Sequence, residues 1–347
     1  MEHASSCYLR WSIAGLLVAL IGLGTPANAQ TQRYSVTDLG TLGGGTSKGY
    51  GINARGQVTG EAVTTGGVFH AFQYAPGSGM IDLGTLGGGS STGYDINASG
   101  QITGQAVTAN GTLHAFLYTP GSGMTDLGTL GGGTSNAYGI NANGQVTGQA
   151  VTAGGVFHAF QYAPGGGMTD LGTLGGGSST GYAINASGQI TGQAVTANGT
   201  LHAFLYTPGS GMTDVGTLGG GTSNAYGINA SGQVTGQAVT AGGVFHAFLY
   251  TPGSGMTDLG TLGGGSSTGY AIDADGQVTG EAVTAGGVIH AFLYTKRGMR
   301  DLNSVLDPGI AAYVTLFSGK GINDGWIVAN GVDSRTGQTH AYLLSKH

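Results

Sequence analysis

Short apolar runs alternate with polar, glycine-rich punctuation along most of the chain, and the same phrase returns at a fixed interval. In its first occurrence, residues 50–53 read as a short strand and Ala54-Arg55-Gly56 as a turn. Residues 57–63 form a second run, rich in Val and Thr, and residues 64–67 a glycine loop. Residues 68–74 carry Phe and Tyr as a third run, residues 75–79 hold Pro and Gly, and residues 80–84 form a fourth run. β-Branched and aromatic runs separated by Gly, Asn, Pro and Ser clusters are the signature of consecutive hairpins. Glycine at this density would cost a helix about 1 kcal/mol per residue. Four strands per unit is the content of one propeller blade.

His-Ala-Phe begins at His70, His114, His158, His202, His246 and His290, and a His-Ala-Tyr follows at His340. Asp-Leu-Gly or a close variant begins at Asp38, Asp82, Asp126, Asp170, Asp214, Asp258 and Asp301. A period of roughly 40–50 residues is that of propeller blades, although helical repeats share it. The chain ends decide between closed and open arrays. The first three strands occur seven times, the last time with almost nothing after them, and a spare fourth strand stands before the first unit. Closure of the ring by that strand uses every strand and leaves no orphan edge. The expectation is an all-β, seven-bladed propeller of four-stranded blades, with residues 33–41 completing the last blade; the alternative is a β-solenoid. Residues 30–347 form a single repeat domain.

The repeated histidines invite a metal or catalytic reading. Pairing across the turn at Gly77 sets Phe72 opposite Asp82, which makes His70 and Asp82 diagonal neighbours within side-chain reach. A structural His–Asp contact is therefore expected in every blade, and ring closure requires His340 to meet Asp38 across the whole chain. Equivalent positions on the third strands of a ring lie too far apart to share one ion. No metal and no cofactor are expected.

The first residues change the compartment. Residues 1–10 hold one basic side chain, Arg10, residues 11–23 carry no charge, and Ala27-Asn28-Ala29 is a small-x-small cleavage pattern. This reads as a signal peptide spanning residues 1–29, cleaved near Ala29, and it predicts a secreted protein, periplasmic or extracellular. Cys7, the one cysteine, leaves with it. No second apolar run is long enough to span a bilayer, so no transmembrane segment is expected in the mature chain. Glycine accounts for 74 of 347 residues without a collagen period, and only 7% of residues are charged, with a net charge of −6. Between Arg55 and Lys296 there is no Lys or Arg. A nucleic-acid partner is thereby excluded, because phosphate neutralisation needs cations.

The phrases Asp-Leu-Gly-Thr-Leu-Gly-Gly, Ile-Asn-x-x-Gly-Gln and His-Ala-Phe, in that order, resemble the bacterial extracellular HAF repeat family. The resemblance covers nearly the whole mature chain, and its divergent end keeps the order at Asp301, Ile322 and His340, with Tyr342 in place of Phe. It implies an exported repeat protein and no particular reaction.

Other motifs read as structural. Gly-x-Ser-x-Gly around Ser47, Ser91, Ser179 and Ser267 is serial and leads into a strand, whereas a hydrolase elbow is a single strand–turn–helix. The Gly-Gly-Gly-Thr-Ser segments read as linkers between blades, lacking a P-loop lysine. Asp273-x-Asp275-Gly276 resembles half a calcium loop, but the equivalent turns carry Asn and Ser, so it reads as a turn. The symmetry breaks in the charges. The nine basic residues after the leader are Arg33, Lys48, Arg55, Lys296, Arg297, Arg300, Lys320, Arg335 and Lys346. They fall in units that a closed ring makes neighbours. Arg55, Asp275, Lys296 and Arg297 lie in turns on one rim, a candidate partner-binding patch; the competing reading is recent copying of a neutral template through the middle units. No catalytic residue is assigned, since the inner-strand phrase Tyr-Gly-Ile-Asn or Tyr-Ala-Ile-Asn scarcely varies outside Asp95 and the seventh unit. The functional expectation is a monomeric, non-catalytic recognition scaffold for an extracellular protein or glycan. The alternative is a propeller enzyme, a hydrolase or lyase, acting on an extracellular carbohydrate.

Overall fold

A computed structural model describes residues 33–346; the expected signal peptide, its cleavage site at Ala29 and Cys7 lie outside the described residues. Seven four-stranded antiparallel sheets form a seven-bladed β-propeller. In the first blade the strands run from the central channel outward as Gly43–Ile52, Val58–Thr64, Phe69–Ala75 and Gly79–Asp82. The next five blades repeat this order. The seventh consists of Val314–Asn323, Trp326–Asp333 and Gln338–Lys346, and its outer strand is the chain's first, Tyr34–Asp38. That strand pairs antiparallel from Tyr34↔Lys346 to Asp38↔Tyr342. The spare strand closes the ring, and the solenoid alternative falls.

The inner strand differs from expectation. The Gly-Gly-Gly-Thr-Ser segments are not linkers: Gly43 already pairs with Thr64, and the strand runs ten residues to Ile52. Two register shifts interrupt it, one between Gly43 and Ser47 and one between Gly49 and Gly51. Such bulges insert unpaired residues and re-aim side chains. The glycines permit the close approach, since a Cβ on Gly44 would lie 2.4 Å from Val63 Cγ1. The second bulge ejects Tyr50, and its equivalents in the next five blades, toward the channel.

Packing follows from two-residue alternation on the middle strands. Phe72, Ala62 and Val58 are fully buried in the first blade and meet Val328, Ala341 and Leu343 of the seventh. Each neighbouring pair of blades repeats such a core, for example Ala115 of the second blade against Val146 and Phe160 of the third. Each buried aromatic of this kind contributes roughly 1.5–3 kcal/mol over exposure. The longer spacing before the seventh blade houses a 3₁₀ turn, Leu302–Val305, and a short helix, Pro308–Ala311. Asp301 caps the former by accepting from Asn303 N–H at 2.8 Å. The seventh blade's inner hairpin is one residue shorter because Asp324 and Gly325 both take positive φ, 45° and 82°. An Asp-Gly pair suits such a two-residue hairpin turn.

Candidate functional site

The repeated histidines are answered first. His70 Nδ1 lies 2.8 Å from Asp82 Oδ2, in the register that sets Phe72 opposite Asp82. The same pair recurs in all seven blades at 2.7–2.8 Å, and His340 meets Asp38 at 2.8 Å across the closure. All seven of these carboxylates also accept from a backbone N–H two residues on, as Asp82 does from Gly84 at 2.7 Å. The histidine is thus one half of a strand-to-turn brace.

The other repeated polar groups are spent between blades. Ser91 accepts from Ala71 N–H of the preceding blade at 2.8 Å and donates to Gly84 O. Ser47 makes the equivalent contact to Ala341 N–H at 3.0 Å, across the closure. Asn53 Oδ1 accepts from Arg55 and Gln57 N–H within its own turn, while Nδ2 donates to Asn97 O of the next blade at 3.0 Å. Where Asp273 replaces this Asn, it accepts from Asp275 and Gln277 N–H and from Gln277 Nε2. Its carboxylate is occupied by the turn.

Of the four rim residues, the fold brings three together. Asp275, Lys296 and Arg297 line one shallow depression on the sixth blade with Gly276, Gln277 and Thr295. Arg55 is exposed on the first blade's inner turn and does not line it. Between them stands the seventh blade's turn, whose Trp326 packs against Gly56. The patch is a depression with an outlier, because a whole blade separates its members.

The central channel holds what sequence reasoning underweighted. Tyr50, Tyr94, Tyr138, Tyr182, Tyr226 and Tyr270 form a ladder around it, with neighbouring centroids 5.2–5.7 Å apart and rings tilted by 46–57°. The seventh place is taken by Lys320, whose Nζ sits 3.3 Å from the Tyr270 centroid, a cation on an aromatic face. The signal was present in the sequence: Gly319-Lys320-Gly321-Ile322 stands where Gly49-Tyr50-Gly51-Ile52 stands in the first unit. Below the ladder, Glu61 accepts from the Tyr50 hydroxyl (3.1 Å), Lys48 Nζ (3.2 Å) and Thr92 (3.0 Å). Burial holds all six tyrosine hydroxyls above their ordinary titration range, so they stay protonated donors.

Asp95 also faces this channel. Its Oδ1 accepts from Ile96 N–H at 2.8 Å and its Oδ2 from Ile140 N–H of the third blade at 3.0 Å. Burial nevertheless outweighs those bonds and raises its carboxyl from 3.8 to about 6. Burial likewise lowers Lys320 from 10.5 to about 8. Both line the same open-mouthed cavity of about 350 Å³.

No family model matches the chain, and no curated protein matches it. Among solved structures, the chain is similar to the BP39L lectin from Burkholderia pseudomallei, at 11% identity and a TM-score of 0.50, over 91% of this chain and 96% of that one. It is also similar to a putative TolB from Agrobacterium tumefaciens, at 12% identity and a TM-score of 0.45, over 91% and 99% of the two chains. A gluconolactonase from Xanthomonas campestris follows at 9% identity and a TM-score of 0.42, over 95% and 99%. At such identities the likeness speaks to the propeller fold alone. No helix among the described residues is long and apolar enough to cross a membrane.

Proposed function

We propose that the chain is an exported, non-catalytic propeller of the HAF repeat kind, a monomeric recognition scaffold for an extracellular protein or glycan. One observation carries this reading. The polar side chains that the blades share are committed to internal braces, His to Asp, Ser to the preceding blade and Asn to the next. Recognition therefore falls to the few residues that break the repeat, and Asp275, Lys296 and Arg297 do so around one rim depression, with Arg55 flanking. A lectin shares the propeller fold, which makes a glycan a natural first partner class to test.

A second reading, a hydrolase or lyase acting on an extracellular carbohydrate, is favoured by Asp95 and Lys320, two groups with displaced titration in one cavity. Glycan-array and surface pull-down binding by residues 30–347 tests the scaffold. Charge reversal of Arg55, Lys296 and Arg297 is expected to weaken that binding roughly tenfold, the equivalent of about 1.4 kcal/mol. Undiminished binding sinks the rim assignment, and turnover in a hydrolase and lyase screen sinks the non-catalytic one.

A further inference from the structure

We propose that the channel cavity binds a small zwitterion of the amino-acid type, its ammonium group held at Asp95 and its carboxylate at Lys320. This site is separate from the rim and does not depend on the rim's role. The cavity, about 350 Å³, is of a size that takes a small molecule.

Its two charges are opposite, and neither has a counter-ion of its own. Asp95 is held by two backbone N–H groups and no cation. Lys320 rests on the Tyr270 ring, and Glu281 of the sixth blade acts on it only from beyond ion-pair distance. Of the two glutamates beside the ladder, Glu281 is hydrogen-bonded to Tyr270 and Glu61 is paired with Lys48. An unpaired charge taken from water is costly, and the cost appears in the displaced titration of both groups.

The two do not neutralise each other because each leans away. Asp95, on the second blade, is pinned toward the third by Ile140 N–H, and Lys320, on the seventh, is pinned toward the sixth by Tyr270. The first blade lies between them. A ligand bearing both charges offers each group its opposite from within the one cavity that both line, whereas a singly charged ligand answers only one of them.

The surroundings suit the same class. Asp95 shows that the Ile N–H groups of the inner strands point into the channel, since it takes two of them. The strand pattern gives Ile272 and Ile322, on the sixth and seventh blades, the same direction, so they supply donors beside Lys320 for a carboxylate. The tyrosine faces provide apolar walls. Both charged residues are departures from the copied pattern: the other blades carry Gly or Ala at the Asp95 position and Tyr at the Lys320 position.

The test is a thermal-shift and calorimetric survey of the full chain against the twenty amino acids, with propionate and ethylamine as single-charge controls. Asp95→Ala and Lys320→Tyr serve as variants, each installing what other blades already hold at that position, so the ring is preserved. Near saturation, at least one amino acid is expected to raise Tm by about 2 °C or more. Each variant is expected to weaken its calorimetric affinity at least roughly tenfold, with neither control binding. The proposal is overturned if no amino acid shifts the melt, if binding survives in either variant, or if a single-charge control binds as well.

Discussion

In each of the first six blades a second-strand glycine faces a buried phenylalanine, Gly60 opposite Phe72 and Gly148 opposite Phe160; in the seventh the same place is held by Ala329 opposite Tyr342. The copied blades have no room for a side chain there. A Cβ on Gly148 would lie 1.9 Å from Asn136 O, a backbone atom that cannot move aside. The seventh blade's inner strand has a different register, with a bulge at Phe317 between Leu316 and Ser318, and it admits the methyl group. Its third strand also buries two polar atoms without a hydrogen-bond partner among the described residues, the Tyr342 hydroxyl and His340 Nε2, as the copied third and fifth blades do at Asn136 Oδ1 and Asn224 Oδ1. Copying has preserved one tight solution six times, and the blade that must also accept the chain's first strand departs from it.

The largest way to break this comparison is to remove residues 33–41. The seventh blade would keep three strands, and Gln338–Lys346, which carries the core residues Tyr342 and Leu344, would become a bare edge. Loss of the cooperative thermal transition, or strand-exchanged oligomers on gel filtration, is the expected result. A monomer with an unchanged melt would show that closure is dispensable.

Next in size is a reciprocal pair. Gly148→Ala is expected to cost about 3 kcal/mol in chemical denaturation through the clash with Asn136 O. Ala329→Gly should cost only about 1 kcal/mol, mostly backbone entropy. Equal costs would mean that the seventh blade is packed like the others.

The pH dependence sharpens the channel's part in the contrast. Because burial raises the Asp95 carboxyl from 3.8 to about 6, the folded chain retains a proton that the unfolded chain releases in that window. Stability contributed by this group therefore falls as pH rises from about 4 to about 6 and stays low above it. Asp95→Ala should match the parent near pH 4 and melt higher near pH 7. A parallel pH profile for both proteins would contradict the assignment.

Much of this was legible in the amino-acid order, and for identifiable reasons. The count of strands forced Tyr34–Asp38 into the seventh blade, and hairpin register alone put His70 beside Asp82 and His340 beside Asp38. The inner strand was missed because Gly43 to Gly45 have poor strand propensity and the strand is broken by bulges, which hide two-residue alternation. Lys320 was visible as an aligned exception, but its direction into the channel depends on the bulge beside it. The separation of Arg55 from Lys296 is set by the width of a blade, which no local pattern encodes.

The closing strand has one more consequence. Tyr34 lies opposite Lys346, so both ends of the folded domain leave from the same end of one antiparallel ladder. Force applied between them peels that ladder open one residue pair at a time instead of shearing it along its length. Tension on the termini is met by a five-residue zipper, and the other six blades remain outside the loaded path.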